Sequence, residues 1–223
     1  QNVDAAMFPG GVADEVVHAG FAGDVEREHR GRTACRIDFI NRQHQAKRPF
    51  FAYVPLTQLH YPTIPHQDFA GRTGAGDFAD SMIEMDHRAG QLLDAIDRLG
   101  VADNTLFIFA SDNGPEFRRP WRGSAGMWQG TYHTAMEGGL RVPLIVRWPG
   151  RVAPEGVSDD IVHVTDLFTT LVGVAGAAMP LDRPIDGVDQ LPFLTGTTPK
   201  SAREGFAFYI KTELRAVKWR HWK

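Results

Sequence analysis

Apolar residues recur with the period of an α-helix between residues 77 and 99. Spacings of three and four residues place them in one stripe along such a helix. The stripe consists of Met82, Met85, Ala89, Leu92, Leu93, Ile96 and Leu99. Gly100 follows at the position where a glycine commonly ends a helix. The pattern therefore predicts a helix from about Asp77 to Leu99 that packs through this stripe.

Short uninterrupted apolar runs flank this helix. FFAYVPL predicts a strand from Phe50 to Val54, and TLFIFA predicts a strand directly after the helix. Because runs without polar alternation are typical of parallel strands covered on both faces, residues 50–110 predict a right-handed βαβ unit. Further along, VPLIVRW predicts a third strand and VTDLFTTLVGVAG another helix.

The two ends of the chain carry weaker patterns. TACRIDFINRQHQA, from Thr33, predicts a helix, whereas residues 1–30 show no clear period and indicate loops with at most a short helix. GFAFYI and LRAVKWR predict an antiparallel hairpin. Together the elements predict an α/β fold, with a mostly parallel sheet, flanking helices and a small C-terminal antiparallel sheet.

Composition narrows the class of protein. The chain has 223 residues, of which 43% are hydrophobic, which suits one large domain or one with a small appendage. Its net charge of −3, with both signs mixed along the chain, gives no cationic surface for nucleic acid. No apolar run reaches the length of a membrane span. One cysteine excludes an internal disulfide. The loop-like start and strand-like end lead us to expect a piece of a longer protein.

The tetrapeptide SDNG, Ser111 to Gly114, closes the second predicted strand. Ligands of open α/β sheets bind at the carboxyl ends of strands, and the oxygens of Asp112 and Asn113 suit Ca²⁺ or Mg²⁺ better than Zn²⁺. Two ligands are fewer than Ca²⁺ requires. On the tetrapeptide alone, an ordinary Asx turn remains the alternative.

His60 follows the first predicted strand, so it converges with Asp112 and Asn113 if the two strands are neighbours. There it would act as a general acid or an anion contact near neutral pH, although a packed loop histidine is the plainer alternative. Other catalytic patterns do not fit. RGSAG has Arg122 where a nucleophile elbow needs glycine, and no Walker A or dinucleotide-binding sequence occurs.

Four segments, taken in order, resemble the sulfatase family of the arylsulfatase type, within the alkaline-phosphatase-like superfamily. They are PFFAYVPLTQLHYP, SDNG, MEGGLRVPLIVRWPGRV and IVHVTDLFTTL. The resemblance covers about residues 45–223. It implies a partial sulfatase α/β core over residues 1–180 and a truncated antiparallel subdomain over residues 181–223. It also implies metal-dependent hydrolysis of sulfate esters, with this chain carrying half of the active site.

The resemblance assigns roles to particular residues. It implies that Asp112 and Asn113 bind a divalent metal, usually Ca²⁺, together with two acidic residues of an N-terminal portion that this chain lacks. His60 matches the family histidine that contacts the sulfate ester. Tyr132 stands where many members carry a lysine five residues before the Glu of EGG, and His133, the next residue, is the candidate replacement as an anion contact.

One departure concerns the nucleophile. In the family it is a formylglycine made from the cysteine of Cys-x-Pro-Ser-Arg, whereas Cys35 continues as CRIDF and does not match. We therefore expect the formylglycine to be absent from this chain. The open alternatives are a phosphodiesterase or phosphonate-ester hydrolase of the same superfamily, a metal-independent esterase that uses His60, and a non-catalytic remnant. The expected partners are a small aryl or carbohydrate sulfate and a second copy of the chain, paired at an exposed sheet edge. Neither nucleic acid nor a membrane is expected as a partner. No compartment is predicted.

Overall fold

The computed structural model describes residues 25–120 and 122–223, and side chains from Thr33 onward. Residue contacts divide the chain into two compact units. The first comprises the described residues up to Ala102 and those from Arg118 to Gly123. The second comprises Asp103–Phe117 and Ser124–Lys223. The loops predicted for residues 1–24 lie outside the described part, and the predicted division after residue 180 stays a prediction.

Two long helices form the first unit. Helix α1 (Val25–Gln45) begins earlier than the predicted Thr33, and helix α2 (Asp77–Arg98) confirms the periodic pattern. The two helices pack against each other. The buried apolar side chains of this pair are Phe39, Ile40, Leu92, Ala95 and Ile96. Among the described residues, no helix is both long and apolar enough to cross a membrane.

The apolar stripe predicted for α2 is correct only in its C-terminal half. Met82, nearer the N-terminus, is 45% exposed. The buried side chains of that half are instead polar: Asp80, Ser81, Glu84 and Arg88. Asp80 and Glu84 are buried because the preceding loop covers this face of the helix and donates backbone hydrogen bonds to their carboxylates.

The carboxylates of α2 hold that loop in place. Asp80 accepts hydrogen bonds from the backbone N–H of Gly71 at 2.7 Å and of Thr73 at 2.8 Å. Glu84 accepts one from the backbone N–H of His66 at 2.8 Å and pairs with Arg88 at 3.2 Å. The side-chain and backbone hydrogen bonds from Thr73 lower the pKa of Asp80. Carboxylate hydrogen bonds therefore help to hold the loop on the N-terminal half of α2.

The strand predicted from Phe50 to Val54 is not formed in the structure. The segment has no ladder partner among the described residues, and its side chains at Phe51 and Tyr53 are 60% and 76% exposed. A strand exists only through hydrogen bonds to a neighbouring strand, whatever its apolar content. The expected βαβ unit therefore lacks its first strand here.

The second unit contains four strands in two antiparallel pairs. A 3₁₀ turn (Ala102–Asn104) leads into β1 (Phe107–Ala110), and the single-turn helix α3 (Glu137–Leu140) leads into β2 (Leu144–Arg147). TLFIFA and VPLIVRW are confirmed as strands. They pair antiparallel, with Phe107 opposite Arg147, and are only partly buried. The expected parallel pairing and two-sided burial are therefore not seen among the described strands.

The C-terminal elements follow their sequence patterns. Helix α4 (Val164–Val174) confirms the predicted helix, and a short helix α5 (Leu191–Leu194) follows it. Strands β3 (Gly205–Ile210) and β4 (Glu213–Trp219) form the predicted antiparallel hairpin, with an irregular register between Phe208 and Tyr209. The small C-terminal antiparallel sheet is thus confirmed.

Candidate functional site

The SDNG turn begins where β1 ends. The backbone N–H of Ser111 still bonds to the carbonyl of Pro143 at 3.4 Å, and the Ser111 hydroxyl donates to the carbonyl of Asn113 at 3.1 Å. Asp112 is exposed, and within the described part of the chain its carboxylate has no ion-pair or hydrogen-bond partner. The turn therefore presents a carboxylate whose oxygens are available to a ligand.

The side chain of Asn113 is held in one orientation. Its Nδ2 donates a hydrogen bond to the carbonyl of Gly114 at 2.9 Å, and the residue is partly buried. Because the amide nitrogen is engaged, Oδ1 is the atom of this side chain left to accept or to coordinate. Asp112 and Asn113 thus supply hard oxygen donors from adjacent positions, which suits Ca²⁺ or Mg²⁺.

Gly114 lies directly against the turn of α3. Its backbone N–H donates to the carbonyl of Gly139 at 3.0 Å. A Cβ at Gly114 would come within 3.0 Å of the Gly138 carbonyl and of the Gly139 Cα. On the other side, Gly138 donates to the carbonyl of Gln129 at 2.7 Å. Three backbone segments therefore meet at Gly114, Gly138 and Gly139, at distances that only glycine allows. We call this place the glycine junction.

Tyr132 and His133 lie on the loop that reaches this junction. The backbone N–H of Tyr132 donates to the carbonyl of Pro115 at 3.0 Å, one residue beyond Gly114. The two rings meet edge to face at 4.1 Å, and both side chains are exposed. His133 adopts a positive φ of 64°, which is uncommon for a residue other than glycine. The structure thus brings this loop to the SDNG turn, although contact of either side chain with substrate stays a prediction.

His60 lies in the first unit and is exposed. Its Nδ1 is 2.7 Å from the carbonyl oxygen of Tyr61, and its ring stacks on the Tyr61 ring at 5.7 Å. Since a carbonyl can only accept, Nδ1 carries the hydrogen, and Nε2 is the nitrogen free to gain or release a proton. Asp112 and Asn113 belong to the second unit, so their predicted convergence with His60 stays a prediction.

The described residues supply a metal site only in part. Among them, no three His, Cys, Asp or Glu side chains are gathered closely enough to hold a metal ion. Asp112 and Asn113 therefore count as two oxygen donors, whereas Ca²⁺ takes about six to eight. The two residues fit a hard divalent cation in donor type and fall short in number.

Sequence reasoning missed a charged cluster around Glu137, the first residue of α3. Its carboxylate pairs with Arg141 at 2.7 Å, with Lys223 at 3.0 Å and with Lys218 at 3.5 Å. Burial alone would raise the pKa of Glu137, but the hydrogen bonds from Arg141 and Lys223, together with the charge of Lys218, lower it to about 2. The four-residue spacing of Glu137 and Arg141 was a visible signal. The two lysines lie too far along the chain to be read from a pattern.

A second cluster missed by sequence reasoning surrounds Asp166 on α4. Asp166 is fully buried and accepts a forked pair of hydrogen bonds from Arg203 at 2.6 and 2.9 Å. It also accepts from the Gln190 side chain at 3.1 Å and from the Val188 backbone at 3.0 Å. Burial would raise the pKa of Asp166, but these bonds lower it. Burial and the charge of Arg203 lower the pKa of His163, which caps the same helix.

Comparison with known proteins assigns the chain to one family. A sequence model of the sulfatase family matches residues 35–177. Arylsulfatase A of Homo sapiens is 43% identical over 173 residues, which are 76% of this chain and 34% of that protein. Steryl-sulfatase of Rattus norvegicus is 36% identical over 190 residues, which are 82% of this chain and 32% of that protein. The chain belongs to the sulfatase family.

Solved structures agree with this assignment. The crystal structure of the PsFucS1 sulfatase from Pseudoalteromonas sp. superposes with a TM-score of 0.83 at 29% identity. The match covers 87% of this chain and 40% of that chain. The fold is therefore the α/β fold of alkaline-phosphatase-like enzymes. The chain spans about a third of the length of the curated relatives that it matches.

Proposed function

We propose that this chain contributes half of the active site of a metal-dependent sulfatase, which hydrolyses sulfate esters. The observation that supports it most directly is the SDNG turn itself. Asn113 is held by Gly114 so that Oδ1 remains available, beside the exposed Asp112, whose carboxylate has no partner among the described residues. That arrangement occurs in a member of a family that generally uses a divalent metal, commonly Ca²⁺, and a formylglycine.

Asp112 and Asn113 would hold the cation through their oxygens, with further donors from outside the described residues. A bound divalent cation supplies positive charge where negative charge develops on the sulfate oxygens. The carboxylate of Glu137 is already engaged by Arg141, Lys218 and Lys223. The carboxylate of Asp112 therefore remains the acidic group that this turn offers to a cation.

His60 is proposed as the general acid that donates a proton to the leaving group. An alkoxide leaves more easily when an acid protonates it, and histidine is the side chain that most often acts as a general acid. The Tyr61 carbonyl engages Nδ1, so Nε2 is the atom that would hold and deliver the proton. Tyr132 and His133 are proposed as contacts to the anionic substrate.

The substrate is proposed to be a small aryl or carbohydrate sulfate. No nucleophile is assigned to a residue of this chain. Cys35 is exposed on α1, and its following sequence does not match the formylglycine site. Pairing with a second copy at a sheet edge also stays a prediction.

Calcium titration tests the proposal without depending on turnover. We expect calorimetry to detect Ca²⁺ binding to the wild-type chain and to lose it in Asp112→Ala and Asn113→Ala. Asp182→Ala is the matched control, because Asp182 is an exposed carboxylate of the same unit that pairs with Arg183. Absence of binding to a folded wild-type chain, at calcium concentrations well above about 10⁻³ M, would contradict the metal role.

Hydrolysis of 4-nitrophenyl sulfate, with and without EDTA, tests the chemistry. Turnover that EDTA abolishes supports the proposal, and bis(4-nitrophenyl) phosphate run in parallel separates a sulfatase from a phosphodiesterase. Turnover of a carboxylic ester that resists EDTA and disappears in His60→Ala would favour the metal-independent esterase instead.

A further inference from the structure

The peptide after Asn113 is fixed by helix α3. Gly114 donates to the carbonyl of Gly139 and lies against Gly138 with no room for a side chain. The carbonyl oxygen of Gly114 in turn accepts a hydrogen bond from the side-chain amide of Asn113 at 2.9 Å and so orients that amide. A movement of α3 would therefore shift the acceptor that holds Asn113.

Helix α3 is only four residues long, so its own hydrogen bonds do not fix its position. On one side, Gly138 is bonded to Gln129. On the other, Glu137 binds Lys218 of β4 and Lys223 beyond it. The carboxylate of Glu137 thus ties α3 to Lys218 of the C-terminal hairpin and to Lys223.

Arg141 completes this connection at the other end of α3. It pairs with Glu137 at 2.7 Å and with Asp159 at 3.1 Å. Its guanidinium also lies 4.2 Å from the centre of the Trp128 ring, next to Gln129 in the loop that packs on Gly138. One carboxylate therefore organises three cations, and one of these cations reaches the loop on the far side of the glycine junction.

We propose that Glu137 is a positioning residue for Asp112 and Asn113. It acts through α3 and Gly114, and it touches neither the metal nor the substrate. The inference rests on the proposed metal role of the SDNG turn. Without the negative charge, Arg141, Lys218 and Lys223 repel one another, α3 is released from the hairpin, and the Gly114 carbonyl no longer orients the Asn113 amide.

Amide hydrogen exchange and the NMR signals of the Asn113 side chain test this in Glu137→Gln. We expect exchange of the Gly114 amide to rise about tenfold, as for a lost charge-assisted contact. The Asn113 side-chain signals should shift, while the amides of β1, β2 and α4 keep their wild-type rates. Asp182→Asn, which removes an exposed carboxylate in the same unit, should leave Gly114 unchanged.

Unchanged Gly114 exchange in Glu137→Gln would overturn the proposal. So would an equal rise across the whole second unit, because that would mean a merely structural role. If Glu137→Gln does not fold, exchange of the Gly114 amide in Lys223→Met provides the same test. The expected rise in exchange rate is smaller, because Glu137 keeps two of its three cations.

Calcium titration of the same variants separates this inference from the proposed function. If the wild type binds Ca²⁺, we expect weaker binding in Glu137→Gln, and equal affinity would overturn the positioning role. If the wild type binds no Ca²⁺, the proposed metal role fails, whereas the exchange of Gly114 and the Asn113 signals still decide whether Glu137 positions the turn.

Discussion

At the scale of single residues, the glycines of the glycine junction are required because backbone segments approach one another closely there. Gly114, Gly138 and Gly139 do not have the positive φ that usually explains a glycine. Each would instead place a Cβ within 3.0 Å of a backbone atom of another segment. Backbone atoms cannot turn aside as a flexible side chain can, so this site is sensitive to one added methyl group.

Gly114→Ala is expected to destabilise the second unit by about 1–3 kcal/mol, because the methyl group overlaps the Gly138 carbonyl. Urea unfolding followed by fluorescence measures the change. Gly173→Ala is the control, since Gly173 lies on α4 with nothing within 4 Å of a Cβ. It should be neutral or slightly stabilising. Equal stability of the two variants would mean that the junction relaxes freely.

Asp166→Ala should be among the most damaging single changes. Asp166 is fully buried, and its loss leaves the Arg203 guanidinium without the forked acceptor that neutralises it. Removing one partner of a buried pair costs about 3–5 kcal/mol. Chemical denaturation should show this loss, whereas Asp182→Ala, which breaks an exposed pair, should show no measurable change. A small loss in Asp166→Ala would mean that water reaches Arg203.

At the scale of elements, the helices were largely predictable because their pattern is local. The stripe from Leu92 to Ile96 predicted the buried face of α2 correctly, since it packs on α1. The half around Asp80 and Glu84 did not follow the pattern, because its partner is a loop that needs acceptors. An apolar period identifies a helix, but the neighbour decides which face is buried.

Strands were less predictable because pairing is not local. TLFIFA and VPLIVRW were identified from their apolar runs, yet nothing within a run states its partner or direction. The pair is antiparallel, and Phe50 to Val54 has no described partner. The cluster at Glu137 was hidden for the same reason, since Lys218 and Lys223 lie 81 and 86 residues away.

The tie between α3 and β4 should respond to acid. The pKa of Glu137 is about 2 in the folded chain, against an ordinary value near 4.5. A lowered pKa means that the stabilisation is complete above the ordinary value and is lost as the pH falls toward 2. The denaturant midpoint should therefore fall less between about pH 7 and about pH 3 in Glu137→Gln than it does in the wild type. Parallel decreases would contradict the tie.

At the scale of the whole molecule, the proposed metal site is incomplete within the described residues. One carboxylate and one amide oxygen give few ligands and little negative charge. Calcium affinity decreases as the number of ligands and their total charge decrease. We therefore expect a dissociation constant of about 10⁻³ M or weaker for this chain alone. That expectation sets the calcium concentration at which any effect on stability should appear.

Calcium should raise the melting temperature of the chain, because an ion that binds only the folded state stabilises it by mass action. Near saturation, at about 100 times the dissociation constant, the gain is about 2.7 kcal/mol. Asp112→Ala and Asn113→Ala should melt at the same temperature with and without calcium, whereas His60→Ala should keep the wild-type shift, since His60 is not proposed as a ligand. An equal shift in Asp112→Ala would show that calcium acts elsewhere on the surface. The same shift in the wild type and His60→Ala, lost in both turn variants and reversed by EDTA, would place the effect at the SDNG turn.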